Sequence, residues 1–446
     1  MPDIGSVDID RTQQRLGPSW WPIWLSPAVT RGNALALFFS GMSTIVFITA
    51  IGILLPYLLH EHLKMPTDVQ GNFTGNLTGI LELLTIAIAV PIGIASDRWG
   101  RRPLYTAAFV LIFAGVGLLP LARTGETLIL YRLMAGAGIS SGTIMLATTI
   151  ADYPQNVSRG KFISVNGVIT NIGVVLLSAL VFSQLPRFFL ARGADGYEAG
   201  TYTFWAMAAF ALLTGLVTFA GLRGGRAIAH ASRNFRTLFS TGGAEVRKNP
   251  RLRLACAAYF VSRGDLTVFV MFFSLWLVAV GTDGGMATAD AQGVAGRIFG
   301  VAQLSMLLFT PVFGWMVDYY DRVVALAISM AVAFVGYLAL GIVDDPLHSP
   351  WMYLAAVLGG AGEAAVVVSG PALVGQEATP TARGAIIGFV SLFGALGVLF
   401  NSKVSGILFD DWVYQGPFLF MAGMNLLICL VAIGTRIWEV RTAQTS

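Results

Sequence analysis

Charge is what this chain has least of. Of its 446 residues only 12% are Asp, Glu, Lys or Arg, against 55% hydrophobic ones, and mean hydropathy is +0.72. A soluble domain of that composition would need a core larger than single domains reach, so the chain must sit in lipid. Cysteine is nearly absent. Cys256 and Cys429 both lie in apolar runs, where a thiol behaves as a small hydrophobe, so neither a disulfide framework nor a metal centre is expected. There are four histidines, none inside an apolar run, and no His-Glu-x-x-His pattern, which argues against a membrane-embedded hydrolase. His60 and His62 form a His-x-His without further nearby ligands. No Gly-x-x-x-x-Gly-Lys-Ser/Thr loop occurs, so no nucleotide or other cofactor is expected to drive the protein. The first thirty residues carry Asp3, Asp8, Asp10, Arg11 and Arg15 and no long apolar stretch, so no signal peptide is expected and the N-terminus should stay cytoplasmic.

What is abundant is apolar sequence in runs of about 20 residues, the length that spans a bilayer core. About twelve occur, near 33–59, 72–95, 103–121, 127–150, 161–183, 201–222, 252–280, 296–317, 323–343, 350–375, 384–408 and 414–436. The intervening basic residues alternate. With both termini inside, twenty Lys or Arg fall on the inner side and six on the outer, in agreement with the retention of basic loops in the cytoplasm. Trp20, Trp21 and Trp24, just before the first run, suit either interfacial anchors or a packed tail. The expectation is a multi-pass integral protein of a bacterial inner membrane, acting as a monomer. Its +4 charge and pI of about 9.1 follow from topology and need no nucleic-acid partner.

The most informative segment joins the second and third runs: Gly93-Ile94-Ala95-Ser96-Asp97-Arg98-Trp99-Gly100-Arg101-Arg102. The pattern G-x-x-x-D-R-x-G-R-R resembles the loop signature of the major facilitator superfamily of secondary transporters. The resemblance implies an all-α membrane protein of about twelve transmembrane helices in two pseudo-symmetric six-helix bundles. It also implies that this loop is a conformational latch, with Asp152 and Arg159 after the fourth run as further parts. The competing reading is charge that merely sets topology.

The chain repeats itself. Gly93, Asp97 and Arg101 match Gly314, Asp318 and Arg322 at an offset of 221, and Phe38 to Phe47 match Phe260 to Phe269 at 222. Gly136-Ala137-Gly138, Arg159-Gly160 and Gly173 match Gly360-Ala361-Gly362, Arg383-Gly384 and Gly397 at 224. Separate matches at nearly one offset point to duplication, and two facing bundles can rock about a midplane site. The domains expected are a cytoplasmic tail 1–32, a bundle 33–222, a cytoplasmic linker 223–251, a second bundle 252–436 and a short tail 437–446. The second latch copy, Asp318, Arg322 and Arg383, is degraded, with Tyr319 and Asp321 in place of Arg98 and Gly100.

A lone charge near the bilayer centre costs about 2.5–3.5 kcal/mol or more, so charges inside runs mark function. The candidates are Glu82, Arg132, Arg263, Asp265 and Glu363. By resemblance, helices 1, 4, 7 and 10 line the cavity, and all but Glu82 fall on these. Leu128 to Gly138 resembles the L-x-x-x-R-x-x-Q-G-x-G motif of proton-coupled members, with Ala135 in place of glutamine. Arg132 could hold a substrate carboxylate or a coupling acid, or simply pair with Glu82. Arg263 and Asp265 flank Gly264 and point about 200° apart on a helix, so they cannot share one face. Glu363 follows Gly359-Gly360-Ala361-Gly362, a stretch that permits close helix contact, and is a candidate proton carrier, or else a carboxyl that never releases its proton.

The antiporter motif of the fifth helix lacks its proline in Asn166 to Val174, and sugar- and phosphate-porter signatures are missing. The chain therefore reads as a secondary active transporter of a small organic solute, not an enzyme, working by alternating access and coupled to protons. Export by antiport is modestly favoured. The alternatives are a proton-coupled uptake symporter of an organic anion, and an uncoupled facilitator or sensor.

Overall fold

The structure, a computed structural model, describes residues 19–20, 23–224, 235–379 and 382–445. Asp3, Asp8, Asp10, Arg11, Arg15, Trp21, Arg226 and Arg233 lie outside them. In hydrocarbon every backbone N–H and C=O must be satisfied within the chain, which leaves long apolar segments only the helix. Twelve helices among the described residues have the length and composition to cross a membrane. They are α1 (Arg31–Tyr57), α2 (Thr67–Trp99), α3 (Arg101–Leu118), α4 (Gly125–Asp152), α5 (Arg159–Gly173) and α6 (Gly196–Gly221). The series continues with α7 (Pro250–Asp283), α8 (Thr288–Tyr319), α9 (Arg322–Gly341), α10 (Trp351–Glu377), α11 (Arg383–Asp411) and α12 (Gly416–Thr445). Beyond α5 the same span continues as a π-helical stretch, Val174–Val181, and two short turns ending at Leu190.

Local chemistry sets several helix starts. Thr124 and Thr127 close a capping box on α4. Asn249 accepts from Arg251 N before Pro250, whose missing N–H costs nothing in the first turn of α7. Asp321 accepts from Val323 N and opens α9. Within the expected linker 223–251 the chain forms a further helix, Phe235–Lys248. Gly242 brings its backbone against Ala385 and Phe389 of α11, so the linker carries packed structure that composition did not reveal.

Contacts divide the chain into two compact units whose limits cut across α1, α2, the π-helical stretch after α5, and α6. One comprises residues 1–51, 84–178 and 200–229; the other comprises 52–83, 179–199 and 230–446.

In the first unit Phe47, Tyr105, Phe109, Phe162 and Phe204 are fully buried. Polar groups inside it pair off: Ser40 with Thr218 at 2.7 Å, and Thr44 with Tyr105 at 3.0 Å. A small antiparallel ladder, Ser19–Trp20 with Ile23–Trp24, precedes α1. The chain just after it is sewn to the α4–α5 loop. Trp24 N donates to Ser158 Oγ at 2.9 Å, Gln155 N to Trp24 O at 2.9 Å, Ser26 N to Tyr153 O at 2.8 Å and Gln155 Nε2 to Leu25 O at 2.8 Å. The Tyr153 hydroxyl accepts from Arg223 N at 3.0 Å, and burial pushes that phenol up from its ordinary value.

The second unit is built on aromatic interlock. Phe269, Phe273, Trp276, Phe299, Tyr337 and Phe418 are all buried, with ring centroids 5.1–6.4 Å apart. Helices α8, α9 and α10 approach backbone to backbone through glycine, as small residues allow in membranes. Gly336 faces Leu358 O, and Gly360 lies directly under Ala302 O. In the same unit α2 meets α11, where Asp410 accepts from Gly71 N at 2.8 Å and Asn72 N at 2.7 Å, and Lys403 donates to Asn72 and Asn76.

A side chain at Gly360 would collide with that carbonyl, and overpacking of this kind costs about 1–3 kcal/mol. Gly360→Val is therefore expected to lower the melting temperature of the purified protein in detergent by several degrees, whereas Gly375→Val, where nothing lies within 4 Å of an added Cβ, should leave it nearly unchanged.

Candidate functional site

The α2–α3 loop is ordered around Arg101. Its guanidinium donates to Asp97 Oδ1 at 3.0 Å, to Asp152 Oδ2 at 3.3 Å and to Ser96 Oγ, so the loop and the end of α4 share one cation. Gly100 supplies φ of 92° ahead of α3, a conformation that glycine adopts without strain. Arg102 stacks over Phe219 of α6 at 4.6 Å, Arg98 and Arg159 are exposed, and Gly93 faces open space. Of the residues singled out in sequence, Asp97, Arg101 and Asp152 are thus brought together, and Arg98 and Arg159 are not.

The second copy differs. Arg322 meets Asp318 at 3.4 Å, but Asp318 is 82% exposed, and Arg383 donates to Gly375 O at 3.1 Å. The cation that organises this region is one the repeat did not single out. Arg251 of α7 contacts Glu439 of α12 at 2.7 Å and Asp321 and Glu377 at 3.3 Å each. Asn249 Nδ2 reaches Glu377 at 2.8 Å, and Arg436 adds Glu439 at 3.2 Å. Asp321 and Glu377 sit at the start of α9 and the end of α10.

Within the spans the five candidate charges separate into three groups. Arg132 is 4% exposed, and its Nε lacks a hydrogen-bond partner among the described residues. Glu82 does not pair with it; its carboxylate lies 3.8 Å from Arg263, in the second unit. Arg263 and Asp265 diverge, as two positions apart on a helix must. Asp265 is 0% exposed and receives Asn425 Nδ2 of α12 at 2.9 and 3.0 Å. Tyr337 of α9 lies with its hydroxyl 2.8 Å from the main-chain oxygen of Asp265 and against Glu363 Oε1 of α10. Glu363 is 1% exposed and its Oε2 is unpartnered. Asp265, Tyr337, Glu363 and Asn425 thus form one buried cluster inside the second unit. Among the described residues no ion pair involves Arg132, Asp265 or Glu363.

The cluster has more acceptors than donors. The Tyr337 hydroxyl carries one proton and faces two oxygens, so it donates to one and must accept from the other; a helix carbonyl cannot donate, but a protonated Glu363 can. Two buried carboxyls that lack a counter-ion among the described residues are costly to ionise together. Sequence inspection located Asp265 and Glu363. It missed Tyr337 and Asn425, a tyrosine and an asparagine in otherwise apolar runs.

The Major Facilitator Superfamily sequence model matches residues 34–296 and 255–443, and the chain belongs to that family. Its fold is that of a secondary transporter. The chain is 26% identical over 411 residues to the magnetosome protein MamH of Paramagnetospirillum magneticum, covering 89% of this chain and 91% of the relative. It is 24% identical over 450 residues to MamZ of Magnetospirillum gryphiswaldense, covering 97% of this chain and 64% of that longer protein. Among solved structures it resembles the nucleoside transporter NupG, with a TM-score of 0.72 and 18% identity over 90% of this chain and 98% of that one. It also resembles the xylose transporter XylE from E. coli in an inward open conformation, with a TM-score of 0.66 and 15% identity over 90% and 94% of the two chains. The protein is accordingly a membrane-embedded carrier of small solutes and not an enzyme.

Removing Arg251 would leave three carboxylates facing one another. Arg251→Ala should destabilise the protein by about 2 kcal/mol, less than a fully buried pair would because the site is partly wet. Melting in detergent measures it, and Arg251→Lys, which keeps the charge but not the fork, should fall between.

Proposed function

We propose that the chain is a proton-coupled secondary transporter, with Asp265, Tyr337, Glu363 and Asn425 as its proton-carrying centre. The observation that carries this reading is a pair of buried carboxyls, with the Tyr337 hydroxyl set between Glu363 and the main-chain oxygen of Asp265 and no ion-pair partner for either acid among the described residues. Such a cluster changes its charge, and hence its preferred packing of α7, α9, α10 and α12, whenever a proton enters or leaves. A relative of part of the chain is named for proton coupling: the arabinose-proton symporter of Bacillus subtilis, 28% identical over 144 residues, or 31% of this chain. Both termini are read as cytoplasmic, from the distribution of Lys and Arg. The chain is read as a monomer in a bacterial plasma membrane.

The latch reading is retained for Asp97, Arg101 and Asp152, since an ion pair shared by two cytoplasmic ends can make one of two alternating states more stable. Arg132, without an ion pair among the described residues, is read as a group awaiting an anion, either solute or coupling carboxylate. Export by antiport is the reading that the fourth-helix motif supports. Uptake by symport with an anion has the Glu82–Arg263 pair in its favour, because an anion that displaces Glu82 leaves a carboxylate free to take a proton with it.

The test is flux in proteoliposomes with a pH gradient imposed in either direction, on solutes first found by stabilisation in detergent. Glu363→Gln and Asp265→Asn should each abolish gradient-driven accumulation and leave downhill exchange within a few-fold of wild type. Retention of full pH-driven accumulation by both variants would defeat the assignment. Asp97→Asn should slow turnover about tenfold while changing solute affinity little, the signature of a lost conformational contact rather than a lost ligand.

A further inference from the structure

We propose that Arg263 is the ligand for an anionic group of the solute, a carboxylate or phosphate, and that Glu82 holds its place when no solute is bound. The proposal rests on the reading of this chain as a carrier of small solutes. Arg263 stands near the middle of α7 and Glu82 near the middle of α2, both far from any helix end. A guanidinium at that depth cannot face lipid cheaply and belongs in a wet or protein-lined space. Its side chain is nonetheless 53% exposed.

Its stem is fixed while its head is not. Gly394 of α11 leaves room for it, since a Cβ there would sit 2.7 Å from Arg263 Cγ, and Asn401 of the same helix packs against Gly264 and donates to Phe260 O at 3.0 Å. These contacts clamp α7 to α11 and hold the arm at one place. Among the described residues the head meets one counter-ion, through one nitrogen at 3.8 Å, a loose approach for a group with five donors and a planar fork suited to two parallel bonds. Glu82 therefore satisfies the charge of Arg263 without filling its hydrogen-bonding capacity, and a small anion that engages both edges of the fork would displace it.

The arrangement gives α7 two arms. Arg263 reaches toward α2 and α11, and Asp265, two residues on, is bound among α9, α10 and α12. A solute bound at the first and a proton bound at the second act on the same helix.

The experiment is protection of Arg263 from phenylglyoxal, read as adduct on the Arg263 peptide by mass spectrometry. The full chain is held in phosphatidylcholine nanodiscs without a proton gradient. Benzoate, malate and inorganic phosphate are compared with xylose at matched ionic strength. At least one of the anions should slow modification in a saturable way, xylose should not, and Glu82→Gln should lower the half-protecting concentration about fivefold by removing a competitor worth about 1 kcal/mol. The wild-type comparison needs no variant, so a failure of Glu82→Gln to fold leaves it decisive. The proposal is overturned if none of the anions protects, if xylose protects equally, or if Glu82→Gln weakens protection. It is overturned as well if phosphatidylglycerol in the nanodisc protects fully without added anion, which would make the site a lipid-headgroup contact. Because no gradient is applied, the outcome is independent of whether Asp265 and Glu363 couple transport to protons.

Discussion

A membrane interior gives a charged side chain nothing to bind, and that constraint arranges this molecule. Each charge inside the spans is held by a specific neighbour or stands out for lacking one: Arg263 has Glu82, Asp265 has Asn425, Glu363 has Tyr337, and Arg132 has no ion pair among the described residues. Helix packing follows from the same constraint. Where lipid is as apolar as leucine, burying oily surface gains little, so the second unit relies on interlocked rings and glycine-to-carbonyl approaches.

Much of this was legible in sequence because hydropathy and basic loops report directly on the solvent. The runs located all twelve spans, though helices such as α2 and α10 extend beyond the apolar core into wetter residues. Composition alone could not show that 235–248 is a packed helix, since its glycines look like linker until Ala385 and Phe389 lie against them. The divergence of Arg263 and Asp265 could be derived from the helical repeat. Their partners could not, because Glu82, Tyr337 and Asn425 lie up to about 180 residues away along the chain, and only tertiary packing brings them in.

The two halves of the internal repeat have diverged where charge is concerned. The first keeps Arg101 between Asp97 and Asp152, while in the second an arginine from a different helix, Arg251, gathers Asp321, Glu377 and Glu439. Of the glycines matched between the halves, Gly138, Gly173, Gly360, Gly362 and Gly397 sit where helices touch, whereas Gly93, Gly160, Gly314 and Gly384 face open space, so the repeat itself keeps some glycines that packing does not require. It does not fix which end of the helix supplies the cation, since any guanidinium that reaches the acidic ends of α9, α10 and α12 fulfils the same electrostatic need.

The stitching of Trp24, Leu25 and Ser26 onto Tyr153, Gln155 and Ser158 constrains the order of assembly. The two sides of the seam are some 130 residues apart, with four membrane spans between them. During synthesis the first segment to leave the ribosome must wait, unpaired, until the fourth helix has been inserted and the start of the fifth has emerged. Closure of the seam therefore requires that an even number of the intervening segments, as in the complete set of four, has crossed the bilayer. A chain in which one of the four helices failed to cross would leave Leu25 and the Gln155 amide on opposite sides of the bilayer, and the seam could not close.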